Sequence, residues 1–327
     1  MLIKKEKKGK IMVYHVGKKF SDEKMLTMAG NYVKPSDIDF IIDHDADVYT
    51  EDNKLLLKFR KNVFKKSNIK AFYDNVIKFA LTPTSNRGST SASKEKDIYH
   101  NPKIMSNILG YFDGFSPRQK FIMKQQGKKI DLTVRETRFN MDYPDKFKKL
   151  IPLIKEIDKQ YEKNVPDKYK LQCKKAKQTP FKVPGTCFTT ITTNINYRTA
   201  LHKDSGDDSE GFGNLVVIED GKFEGAETTF PQFGIGVDVR TGDVLLMNVH
   251  EWHGNLPMIP ENKDVKRLSI VCYLRYNVWQ KTKHMTKKQM VKHNKTVKNL
   301  RQGNLGKGNL GKGNLGEGNL GKGNLGE

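Results

Sequence analysis

Three short stretches hold residue types that could do chemistry together. Leu201-His202-Lys203-Asp204 places an imidazole and a carboxylate two residues apart, and on an extended chain such positions face the same side. About fifty residues on, Val249-His250-Glu251-Trp252-His253-Gly254-Asn255 closes a run that opens at Gly242-Asp243, and either His250 or His253 could supply a second imidazole. Two imidazoles and one carboxylate can occupy one face of an octahedral Fe(II), leaving positions for a bidentate co-substrate and O2. Beyond His253, Arg267 opens a further apolar run with Ser269 two positions later. A guanidinium and a hydroxyl on one face make an end-grip for a distal carboxylate.

These stretches need a β framework. From Cys187 the chain is rich in threonine and β-branched residues, and it reads as strands over 187–198, 215–219, 226–230, 235–239, 244–249 and 268–276. Turns such as Asp220-Gly221 and Thr241-Gly242-Asp243 separate them at the close spacing of an antiparallel double-sheet jelly roll. The fold class expected is a mainly β catalytic core, a double-stranded β-helix of jelly-roll or cupin-like type. Flanking α-helices come from an α+β N-terminal region.

Upstream, short β-like runs mix with helical signals. Leu55, Leu56, Leu57, Phe59, Val63 and Phe64 recur at helical spacing within 53–79. Ser116-Pro117 reads as an N-cap and first-turn proline opening a short basic helix through Gln126. Phe147, Leu150, Ile151, Ile154, Ile157 and Tyr161 form one stripe of a helix over about 145–163, with Pro152 marking a start or kink. Four segments are expected: 1–180, an N-terminal α+β region that supports the core and contacts DNA; 181–280, the catalytic core; 281–302, a basic helical extension; and 303–327, a tail. That tail repeats Gly-Asn-Leu-Gly-Lys/Glu, and one leucine per pentad buries too little to order it.

Charge adds a partner. Lys+Arg number 59 against Asp+Glu 37, a formal +22, yet residues 201–250 hold 3 basic and 10 acidic side chains. Residues 281–302 carry eight basic residues and no acidic one. An acidic middle within a basic frame suits a metal site flanked by grips for a polyanion such as DNA. No apolar run approaches a bilayer span and no secretory leader opens the chain. The expected setting is intracellular, nuclear or cytoplasmic or viral, not secreted and without a membrane partner. Cys173, Cys187 and Cys272 are odd in number and widely spaced, so reduced thiols are expected rather than a disulfide framework or a cysteine zinc site.

The ordered set resembles the 2-oxoglutarate and Fe(II)-dependent dioxygenases, and within them the TET/JBP family of nucleic-acid-base oxygenases. Residues 188–204, from Phe188 through His202-Lys203-Asp204, look like the family's lead into its metal motif. Arg267-Leu-Ser269-Ile-Val-Cys-Tyr273 is similar to its co-substrate strand, and Ser85-Asn86-Arg87-Gly88 with 89–93 to an Arg-Gly segment ahead of the core. The resemblance covers about 180–280. It implies that His202, Asp204 and His253 bind iron, with His250 the alternative ligand, and that Arg267 and Ser269 hold 2-oxoglutarate. It also implies that Tyr273 touches a flipped base and that Trp252 is a packing residue. The cofactors implied are Fe(II), 2-oxoglutarate and O2. Asp207 stands where TET-like members have an amide, and a carboxylate accepts from thymine N3–H but not from cytosine N3. With Arg275 as donor to a thymine carbonyl, the expected reaction is thymine to 5-hydroxymethyluracil in DNA. The alternatives are 5-methylcytosine oxidation, a protein hydroxylase on the same fold, and a non-catalytic DNA-binding module.

Overall fold

The computed structural model describes residues 1–327 except 85, 86, 88, 89, 93–103, 116, 128 and 303–327, and for 117–119 and 300–302 it describes the backbone alone. In chain order the elements are β1 (Leu2–Lys8), β2 (Ile11–Val16), α1 (Asp22–Met28), β3 (Phe40–Ile42), β4 (Ala46–Thr50), β5 (Leu55–Arg60), α2 (Lys66–Ala80) and β6 (Ser106–Phe112). Then come α3 (Pro117–Gln125), β7 (Arg135–Glu136), α4 (Arg138–Asp142), α5 (Pro144–Asn164), α6 (Pro166–Ala176), β8 (Thr190–Ile195) and β9 (Gly213–Asp220). The rest are β10 (Phe223–Gly225), β11 (Thr228–Phe230), β12 (Ile235–Val237), β13 (Val244–Met247), β14 (Gly254–Asn255), β15 (Met258–Pro260), β16 (Lys266–Tyr273), α7 (Tyr276–Thr282) and α8 (Lys287–Gln302).

Two sheets face each other. The major sheet runs β1-β2-β4-β5-β13-β9-β16-β8-β6-β7 and the minor one β14-β11-β12-β3. Every pairing in the centre of the major sheet is antiparallel. Period-two alternation splits its side chains between two cores. Leu215, Val217, Leu245 and Met247 turn inward against Phe230, Ile235 and Val237 of the minor sheet. Val216, Ile218, Leu246, Leu268 and Ile270 turn outward under α2 and α5, against Phe72, Val76, Leu150, Ile154 and Tyr161. Fully burying such a side chain contributes about 1.5–3 kcal/mol, so the helical cover and the sheet sandwich stabilise the same strands from both sides. This is the jelly roll expected.

Several expectations change. Leu55–Arg60 is a strand, not part of a helix, and the helix begins only at Lys66. Its apolar run pairs with β4 and β13, and that tertiary pairing overrides a periodicity too short to separate the two forms. α5 extends through Pro152 without a break. α3 forms where expected, although its proposed cap Ser116 lies outside the described residues, as does the repeat tail. The last strand stops at Tyr273, and 281–302 is no single helix: α7 ends at Thr282 and α8 starts at Lys287. The cysteine expectation is corrected too. Cys173 near the end of α6 and Cys187 ahead of β8 pair as a disulfide, because the turn between them returns the chain until their Cα atoms are 5.0 Å apart. Cys272 alone is free and buried. Among the described residues no helix is long and apolar enough to cross a membrane.

Candidate metal and co-substrate site

β16 alternates in function as well as in packing. Leu268, Ile270 and Cys272 go to the helical core, so Arg267, Ser269, Val271 and Tyr273 project from the opposite face into a cavity of about 580 Å³ between the sheets. Thr192 and Asn194 join them from the neighbouring β8.

The metal-motif histidines come from two segments that zip together beyond the strands. Asn196 follows β8 with φ 48°, a left-handed conformation that asparagine tolerates. Its side chain accepts from Arg267 N at 2.6 Å and donates to Val265 O at 2.8 Å. From there 199–202 runs beside 253–255. Asn255 N donates to Thr199 O at 3.0 Å, and His202 and His253 exchange both backbone hydrogen bonds at 2.9 and 3.0 Å. A Cβ at Gly254 would press on Thr199 O and Val33, so glycine permits this approach.

One ligand atom each from His202, Asp204 and His253 lies within 4.8 Å of the others. His202 Nε2 is 3.4 Å and His253 Nε2 3.9 Å from Asp204 carboxylate oxygens. His202 Nδ1 donates to Ala200 O at 2.8 Å and His253 Nδ1 to Glu251 O at 2.9 Å. Carbonyls only accept, so both rings present an Nε2 lone pair to the site. Burial and the adjacent His202 hold the His253 imidazole down to about 4, which keeps it neutral. Burial would raise the Asp204 carboxyl, but the pull of His202, His253 and Arg87 prevails and holds it well below the usual carboxylate range. Two imidazole nitrogens and a carboxylate as donors suit Fe(II). His250 is otherwise occupied: Nδ1 lies 3.0 Å from Asp204 O and Nε2 3.3 Å from Asp208 O, so it braces the loop.

Arg267 is 5% exposed, and its Nε has no hydrogen-bond partner. Burial, then repulsion from Arg240, lowers its guanidinium to about 10, still charged at neutral pH. Ser269 Oγ accepts from Asn194 Nδ2 at 3.3 Å. A buried cation with an unused donor beside a hydroxyl is the counterpart of a ligand carboxylate.

At the other end of the cavity, burial and Asp207 push Tyr273 up to about 12, and its hydroxyl lies 3.3 Å from Thr192 Oγ1. Burial and nearby Asp204 raise the Asp207 carboxyl well above its ordinary range, against the pull of Arg275. Asp207 and Arg275 form a backbone bridge. Arg87 lines the cavity and donates from Nε to Ser106 Oγ at 3.0 Å, whereas Ser85, Asn86, Gly88, Ser89 and Ser93 lie outside the described residues. Trp252 packs with Met25, Leu201 and Leu256 while its edge borders the cavity. After Asp207, Asp208 is 2% exposed, and Lys175 ties it and Glu210 at 2.5 Å each. Sequence reading missed Asn196 and Asp113, the latter paired with Arg275. The only signal was an asparagine where a strand ends.

Residues 122–276 match the model of the oxygenase domain of the 2OGFeDO superfamily, Tet_JBP. The bifunctional helicase and thymine dioxygenase JBP2 of Leishmania braziliensis is 31% identical over 215 residues, covering 65% of this chain and 18% of that protein. Thymine dioxygenase JBP1-A of Trypanosoma cruzi is 29% identical over 242 residues, covering 73% and 26%. The chain thus spans about a quarter or less of the length of these curated relatives. Among solved structures, NgTET1 in complex with 5mC DNA superposes with a TM-score of 0.50 at 13% identity over 85% of this chain and 100% of that one, a likeness of fold.

Proposed function

We propose, from the match of residues 122–276 to the Tet_JBP oxygenase-domain model, that this chain is an Fe(II) and 2-oxoglutarate-dependent dioxygenase that hydroxylates the C5 methyl of thymine in DNA, giving 5-hydroxymethyluracil. One observation carries the reading: the His202, Asp204 and His253 ligand atoms face the same cavity as Arg267, a buried cation whose Nε lacks a partner.

Fe(II) with 2-oxoglutarate and O2 supplies the oxidation, in which 2-oxoglutarate leaves as succinate and CO2 and one oxygen atom goes to a C–H bond of the substrate. The residues do the rest. His202, Asp204 and His253 hold the metal through two Nε2 atoms and a carboxylate. Arg267 and Ser269 bind the far carboxylate of 2-oxoglutarate and so orient its other end toward the metal. Tyr273 offers an aromatic face two strand positions beyond Val271 on the same side of β16, where a base methyl can approach. That base has to leave the helical stack to enter the cavity, and the basic exterior grips the flanking phosphates.

The named relatives are thymine dioxygenases, and they favour thymine. Mass spectrometry of nucleosides from thymine-containing and 5-methylcytosine-containing DNA, treated with protein, Fe(II), ascorbate and 2-oxoglutarate, tests this. 5-Hydroxymethyluridine is the expected product. 5-Hydroxymethylcytosine in its place would move the substrate to the other base, and succinate without either product would leave an oxygenase with a different substrate.

A further inference from the structure

The base-facing end of the cavity contains a clamp. Arg275 follows β16, and its backbone N donates to Thr189 Oγ1 at 2.8 Å. Its Nε donates to the Asp113 carboxylate, whose other oxygen accepts from Asn277 Nδ2 at 2.8 Å. The guanidinium carbon stands 4.3 Å from the centroid of the Phe112 ring. A Cβ at Gly206 would overlap Arg275 Nη1, so the guanidinium lies close against bare backbone there. Ring, carboxylate and glycine therefore all crowd one side chain, and among the described residues nothing accepts from its Nη atoms. Asp113 is itself fixed, since its backbone carbonyl accepts from Thr133 Oγ1 at 3.0 Å and its side chain is 10% exposed. Burial works against the charge on Asp113, and the guanidinium outweighs it, holding the carboxyl below its ordinary range.

Resting on the function proposed above, we propose that Asp113 is a positioning residue for base selection: it locks the Arg275 guanidinium so that its free Nη donors meet a carbonyl of the flipped base and reject an amino group. Arginine has donors only. On the edge that a flipped base presents, thymine carries a carbonyl where 5-methylcytosine carries an amino group. A mobile arginine could swing away from that amino group, whereas a clamped one cannot, so selectivity comes from the carboxylate behind it.

The test compares the full chain with Asp113→Asn and Asp113→Ala. Solvent exchange of the Arg275 Nε–H, assigned by its loss in Arg275→Lys, should be slow in the parent and fast in Asp113→Ala. Succinate formation from 2-oxoglutarate without DNA should be within about twofold of the parent in both variants, because Arg267 and the metal ligands are untouched. The ratio of kcat/KM on thymine-containing to 5-methylcytosine-containing DNA should fall by about tenfold. An unprotected Nε–H in the parent, an unchanged ratio, or a loss of succinate formation equal to the loss of base oxidation would each overturn the role of Asp113. A parent that makes succinate but oxidises neither base would instead remove the DNA-base function and the selection reading with it, even with a protected Nε–H.

Discussion

His202 and His253 are each other's backbone partners, donating and accepting in both directions, with ring centroids 4.3 Å apart. A two-way pairing of this kind fixes relative height and facing, so two imidazoles 51 positions apart in the chain reach one point with little freedom left to lose on binding a metal. Removing one ring should therefore delete a ligand without disturbing the segment that carries it. His202→Ala and Asp204→Ala are expected to abolish base oxidation and high-affinity Fe(II) binding. Circular dichroism and DNA affinity should stay near those of the parent. Turnover that survives either change would remove that residue from the site.

The two histidines of the His250-Glu-Trp-His253 stretch should separate cleanly. His253→Ala is expected to lose Fe(II) binding. His250→Ala should keep it while destabilising the fold by about 1–3 kcal/mol, since the carbonyl of Asp204 or of Asp208, whichever accepts from the one imidazole N–H, loses a part-buried donor. Metal titration and denaturant melts on both variants give the answer, and reversed roles would make His250 the ligand.

What was legible beforehand was whatever depends on local spacing. Arg267, Ser269 and Tyr273 share a face because strands alternate, and His202 and Asp204 do so for the same reason. The stripe from Phe147 to Tyr161 is equally local, and it forms one continuous helix despite Pro152. What escaped depends on pairings between distant segments. Asp113 meets Arg275 across 162 positions, and Asn196 meets Arg267 across 71. Leu55 to Phe59 read as helical because so short an apolar run satisfies either period, and only the partners on β4 and β13 choose the strand. The cysteine spacing misled for a related reason, since separation along a chain says little about separation after a helix and a turn.

Arg267 sets stability against function. A buried guanidinium with an unpartnered Nε costs free energy until a carboxylate arrives. Arg267→Met should thus raise the thermal midpoint of the protein without co-substrate while raising the 2-oxoglutarate KM by at least about tenfold. Ser269→Ala, which removes a hydroxyl and no charge, should raise KM by a smaller factor. Calorimetry with and without 2-oxoglutarate, beside succinate assays, checks both halves. A lower midpoint for the methionine variant would mean that Arg267 is satisfied in the empty site.

His253 gives the metal-free protein a pH signature. Its folded value of about 4 lies below the 6.5 of a free histidine, so between these values the unfolded chain holds a proton that the folded chain refuses. Its contribution to stability is complete above about pH 6.5 and is lost as pH falls toward 4, roughly 3 kcal/mol in all. Asp207, displaced upward, acts with the opposite sign over part of that window, so the observable is a difference. Parent minus His253→Gln stability in the absence of metal should rise from pH 4 to 6.5. A flat difference would show that His253 is not held neutral by the fold.

The basic exterior can be tested without dismantling it. Deleting 281–302 outright would be uninformative, because α8 is part of the packing: Val297 is 2% exposed, His293 Nε2 donates to Val134 O at 2.6 Å, and Met290 packs with Tyr111 and Phe181. Lys287, Lys288, Lys292 and Lys295 point to solvent instead, and replacing them by glutamine should change stability by no more than about 0.5 kcal/mol. If these four amines neutralise DNA phosphates, the slope of log K against log salt should become shallower by up to about 0.9 for each duplex phosphate that is no longer neutralised. Binding isotherms at several salt concentrations measure that slope directly. A slope identical to the parent's would place the phosphate grips elsewhere on the surface and leave α8 as a structural buttress against Val134, Tyr111 and Phe181.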